Sequence, residues 1–260
     1  VIGPLLGLGA LSVILLGIAQ RPGPLSQTVF ATSVLTTLTL AVVSFRSRVP
    51  TILFAVPLTL GPAAAAVAVG LSQRFGLAVT TRAGRAAFAT ELLAALFAGG
   101  AGLWSRRWQG VPDYAEPERF RGHAPLAAGS IALAFVGLGL CWGLRGDWLS
   151  AALLLASVTF LSAAFARGGD PLVVHLSALA FCGAVGVTVH THIPGDGPHL
   201  GRWGAAVGLG PALLVPIAFA ISREGNLRRQ IGLSLLRASE WIALVGLSAG
   251  LLSAAWPGRG

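Results

Sequence analysis

Long apolar runs, each close to twenty residues, alternate along this chain with short breaks rich in Arg, Gly, Pro and Asp. Runs of that length match the roughly 20 residues a helix needs to cross the hydrocarbon core of a bilayer. They show neither the period-two alternation of a half-buried strand nor the polar face of a surface helix. Spans are predicted near residues 1–20, 27–44, 50–72, 84–104, 124–144, 147–166, 171–190, 203–222 and 240–256. The pattern therefore predicts an all-α, polytopic membrane protein with about nine transmembrane helices. A closed β-barrel would need segments of about ten alternating residues, and these runs are continuous and twice as long.

The breaks define the organisation. Arg21, Pro22, Gly23 and Pro24 close the first span, Arg46 and Arg48 the second, and Arg74 with the stretch 81–85 the third. Only Arg145, Gly146 and Asp147 join the fifth span to the sixth, which makes those two an antiparallel pair. The longest polar insertion, 105–123, holds the chain's only tyrosine and reads as a linker between four spans over 1–104 and five over 124–260. Between the last two spans, Leu227, Ile231, Leu235 and Ala238 recur at helical spacing, while Arg228, Arg229, Gln230 and Arg237 fall elsewhere on the wheel. That pattern over 223–239 predicts an amphipathic connector lying in the membrane interface, followed by a separate last span. Gly-x-x-x-Gly pairs at Gly3/Gly7, Gly139/Gly143, Gly204/Gly208 and Gly246/Gly250 fit close helix packing, and Pro57, Pro62, Pro211 and Pro216 are expected to bend the helices that carry them. There is no internal repeat of the kind that marks many secondary transporters.

Composition sharpens the picture. Hydrophobic residues make up 55% of the chain, charged residues 10%, and the mean hydropathy is +0.79, which excludes a water-soluble globule. The net charge of +9 is spread through short loops rather than gathered on one face, so a nucleic-acid partner is not expected. Every basic residue is an arginine. Eleven of the 18 follow spans two, four, six and eight, and seven follow the others. The first set is read as cytoplasmic, which puts the N-terminus in the cytoplasm and the C-terminus across the cell membrane. Cys141 and Cys182 lie inside spans without a paired spacing and read as small packing residues. No methionine occurs, even at position 1, so the chain is expected to be a piece of something longer; its first span lacks the features of a signal peptide.

Ionisable groups within spans are the candidates for chemistry. Glu91 is placed to bind a proton or a cation, or to pair with Arg82 or Arg85 or snorkel, the last two being favoured. His175, one turn into its span, reads as a hydrogen-bonded packing residue before a ligand or relay. Glu240 opens the last span and suits a helix N-terminus. His190, His192 and His199 with Asp196 offer donors for a divalent metal, but no helical pair fixes them, and neither a metal nor a cofactor is expected. No nucleophile motif, phosphate-cradling loop or catalytic carboxylate pair appears, so no catalytic residues are assigned. What remains is a structural or conduit-forming membrane subunit. The runner-up is a permease for a small solute working through Glu91 and His175, and a third reading is a membrane metalloenzyme using the three histidines.

Several features in order resemble the EccD family, the integral membrane subunit of the type VII secretion system of actinobacteria. They are Pro22 to Pro24 leading into Ser26 and Gln27; Arg106 and Arg107 ending a span before a linker; Glu118 to Arg121 entering the next; Gly146 to Leu149 opening the sixth; and Asn226 to Arg229 followed by Ser239, Glu240 and Trp241. The resemblance implies a non-enzymatic scaffold in the cell membrane. Such a scaffold forms homodimers within a larger complex, encloses lipid and holds other membrane subunits, including an ATPase. It also implies an upstream ubiquitin-like domain and two further spans. Arg106, Arg107, Arg119, Arg121, Arg223, Arg228, Arg229 and Arg237 are then the candidate contacts to partners and lipid.

Overall fold

The computed structural model describes residues 24–74, 81–106, 121–192, 199–223 and 225–255. Over these the chain forms eight α-helices: α1 Pro24–Ser47, α2 Ala55–Arg74, α3 Arg82–Arg106, α4 His123–Leu140, α5 Gly146–Ala166, α6 Pro171–His192, α7 His199–Ser222 and α8 Asn226–Ala255. Short 3-10 turns at Pro50–Phe54 and Cys141–Gly143 lead into α2 and out of α4. Among the described residues seven stretches are long and apolar enough to cross a membrane, and an eighth apolar segment, Gly208–Ser222 of α7, is shorter. The first expected span lies outside the described residues.

Local chemistry sets the helix ends. Thr81 precedes α3 and accepts the Gly84 N–H at 3.1 Å, a side-chain N-cap. Asp170 does the same for α6 through the Leu172 N–H at 3.1 Å, with Pro171 at the first helical position where its missing donor costs nothing. Pro62, Pro211 and Pro216 lie within continuous helices.

Side-chain pairs fix the directions. Glu91 meets Gly137 and Gly84 meets Gly143, so α3 and α4 are antiparallel. Gly102 meets Ser162 and Phe88 meets Trp148, so α3 and α5 run parallel. Ser150 bonds Thr188 and Ser157 bonds Ser177, which makes α5 and α6 antiparallel, as the three-residue break between spans five and six required for α4 and α5. The core is built of small residues: Ala86, Ala87, Ala94, Ala98, Ala152 and Ala163 are fully buried, whereas Leu35, Leu96, Leu103 and Trp241 stand more than 60% exposed. Small side chains inside let backbones approach and gain dispersion contacts, while large apolar ones face a solvent as greasy as themselves. One buried cluster runs from Ala65 to Ala238, crossing the 105–123 break, so the two halves share a core.

Two expectations are corrected by α8. The connector and the last span are a single helix, and Glu240 lies fourteen residues inside it rather than at its start. The apolar stripe is real, but Ile231, Leu235 and Ala238 are buried against protein instead of lying on lipid. A Cβ on Gly232 would meet the Ala218 carbonyl and Ser222, and one on Gly169 would meet Leu227, so α8 docks on α7 and on the α5–α6 turn. Burying that stripe in protein leaves α8 no reason to lie flat.

Candidate functional site

Glu91 is the one fully buried ionisable side chain among the described residues. It sits in the α3–α4 seam, where Gly137 supplies the space: a Cβ there would stand 2.5 Å from Oε1 and 2.9 Å from Cδ. Neither carboxyl oxygen has a hydrogen bond of ordinary geometry among the described residues; the Leu138 backbone N–H of α4 is close enough to act on the carboxyl without making one. The expected pairing with Arg82 or Arg85 does not form, and the side chain does not snorkel. At about 100° per residue, positions six and nine before Glu91 point well away from its face. The neighbouring Thr90 hydroxyl donates to the Ala86 carbonyl at 2.7 Å. Thr81 closes the seam at its nearer end, donating to the Gly143 carbonyl at 2.8 Å while capping α3.

The outward face of α8 is the second feature. Leu233, Arg237, Glu240, Leu244 and Leu247 are all exposed and follow one another at spacings of four, three, four and three, a continuous stripe. Gly232 packs against Ala218 and Ser222 of the antiparallel α7, and that register sets Arg237 and Glu240 level with the Gly210–Ile217 region. There the outward side chains of α7 include Leu213, Val215 and Ile217. Two opposite charges thus stand exposed at the depth of an apolar run.

His175 donates through Nδ1 to the Pro171 carbonyl at 2.6 Å, one turn back in α6, so it is a hydrogen-bonded side chain as expected. It lies near the α6 N-terminus, whereas Glu91 faces α4, and the fold does not bring the two together. His192 at the other end of α6 meets Asp147 at 2.6 Å and ties the α5 start to the α6 end. His190 is exposed; residues 193–198, with Asp196, lie outside the described residues, as does the side chain of His199. Among the described residues no three His, Cys, Asp or Glu side chains gather as a metal site. Cys141 is buried and Cys182 half-buried, both as free thiols in helix contacts. Of the candidate arginines, Arg106, Arg223, Arg229 and Arg237 are exposed, Arg121 and Arg228 are half-buried, and Arg107 and Arg119 lie outside the described residues.

Two features escaped the sequence reading. The Ser157 and Ser177 hydroxyls each donate to the other's backbone carbonyl at 2.9 Å, and Ser150 donates to the Ala184 carbonyl at 3.0 Å beside Thr188. Ser and Thr at helical spacing on facing runs were the available signal. The other is the notch at Gly137, legible only when the residue opposite is known.

No protein-family model, curated protein or solved structure matches the chain.

Proposed function

We propose that this chain is a framework subunit of a multi-component membrane complex. Its order of spans and basic breaks makes the type VII protein secretion machine, with an EccD-like role, the assembly it suits. The observation that carries the reading is the α8 stripe. A lone carrier in lipid would leave Arg237 and Glu240 facing hydrocarbon, at about 3 kcal/mol for a charge near mid-membrane. A transmembrane helix of a partner packed along Leu233, Leu244 and Leu247 would cover both charges and use them to set register. The large apolar side chains on the outside of α1 add surface for lipid or for a second copy of the chain.

His175 and Glu91 occupy different contacts, so a permease, the second reading, would use them at separate places rather than as one site. The test is gentle extraction of the native membrane and co-purification on a tagged chain. Recovery of membrane partners, one of them bearing an ATPase domain, is expected, and the Arg237→Ala, Glu240→Ala double variant is expected to lose most of that recovery while still inserting. Recovery of wild type as a lone chain from membranes containing the partners would overturn the assignment.

A further inference from the structure

We propose that Glu91 is a proton-binding site of the bundle, and that the α3–α4 seam cannot part at its Thr81 end without exchanging that proton. The inference is independent of whether the chain serves as a framework.

It rests on what faces the carboxyl from every side. On α2, the residues from Ala55 to Gly70 include no ionisable group. On α4, His123 stands at the opposite end of the helix, and the Cys141 thiol follows its last turn. On α5, Asp147 is exposed and bonded to His192. On α3 itself, Arg82 and Arg85 lie off the Glu91 face, and Arg106 is fifteen residues away, about 22 Å along the axis. Among the described residues no cationic side chain bonds either oxygen, and neither oxygen has a hydrogen bond of ordinary geometry, the Leu138 backbone N–H being the one donor close enough to act on the carboxyl. An ionised carboxylate in such a place is an uncompensated buried charge, which costs several kcal/mol. A divalent metal needs six or more oxygens, or His and Cys donors, and no such group is assembled among the described residues. A proton is the cation that fits the space left by Gly137 without moving a side chain.

The route is equally local. Glu91 lies nine residues from Arg82, about 14 Å from the end of α3. At that end Gly84 and Gly143 bring the two backbones together, and the Thr81 to Gly143 hydrogen bond fastens them. Water reaches the carboxyl when this fastening opens. Opening and proton exchange are then linked, since a hydrated carboxyl and a packed one bind the proton differently.

Infrared spectroscopy of the whole chain in lipid at neutral pH tests the proposal. Wild type should show a carboxylic-acid carbonyl band that disappears in Glu91→Gln and persists in Asp147→Asn and Glu240→Gln. Transfer to D2O should shift this band slowly in wild type and at least several-fold faster in Thr81→Ala. Absence of an acid band from folded wild type, a reading that needs no variant, would overturn the site. A band that shifts equally fast in wild type and Thr81→Ala would overturn the route.

Discussion

Glycine at 137 and glutamate at 91 make sense only as a pair: one residue gives up its side chain so that the other can enter the seam. Other glycines on α4 separate by the same criterion. A Cβ on Gly129 would run into the Phe54 backbone, which cannot swing aside, whereas one on Gly139 meets nothing within 4 Å. Gly129→Ala is therefore expected to cost about 1–3 kcal/mol. Gly139→Ala is expected to stabilise by up to about 1 kcal/mol, because alanine is the better helix former. Reversible unfolding in mixed micelles checks both signs. Sequence analysis paired Gly139 with Gly143 as a packing motif, yet only Gly143 is in close contact, against Thr81 and Gly84. Spacing alone says that two glycines share a face; it does not say what the face meets. The same limit applies to Glu91. Its place in a span and its rank as a functional candidate were legible, whereas the favoured pairing with Arg82 or Arg85 overlooked the helical phase that turns those two positions away from Glu91. Its lack of any partner depended on the tertiary packing of α4.

Helices α5 and α6 are joined by hydroxyls that bond across to backbone carbonyls, an arrangement that leaves each helix's own ladder intact. Ser157→Ala and Ser177→Ala are each expected to cost about 1 kcal/mol, the usual scale for interhelical hydrogen bonds in membranes. The double variant is expected to show coupling, since the two hydroxyls also lie 3.1 Å apart. Unfolding midpoints of the four-member cycle measure it. For α8, continuity is the testable property. Spin labels at Arg229 and Leu244, both exposed, should give one narrow distance near 23 Å, set by fifteen residues of unbroken helix. A broad or much shorter distance would restore the hinge expected near Ser239. That hinge was inferred because arginine and glutamate interrupt the apolar run. Leu227, Ile231, Leu235 and Ala238 were nevertheless a correct guide to the buried face, and what the pattern could not reveal was that protein, not lipid interface, covers it.

At the scale of the molecule, fold class was the most legible property, since runs of twenty apolar residues have few ways to satisfy their backbone. The helix bounds predicted for the second to eighth spans fall within about four residues of those observed, whereas the ninth begins fourteen residues earlier than predicted, at Asn226, because the helix tolerates the charges that were read as its start. Large apolar residues outside and alanine inside are what a bundle in lipid requires. The central claim is that this bundle crosses a membrane with alternating direction and its arginine-rich ends on one side. Single cysteines, introduced after Cys141 and Cys182 are replaced by alanine, test it most directly when probed with a membrane-impermeant thiol reagent in intact cells and in inverted vesicles. Cysteine at Arg48, Arg106, Arg167 or Arg223 should react only from the cytoplasmic face, and cysteine at Thr81, Trp142, Arg145 or His192 only from the other. Labelling of members of one set from opposite faces would contradict the account.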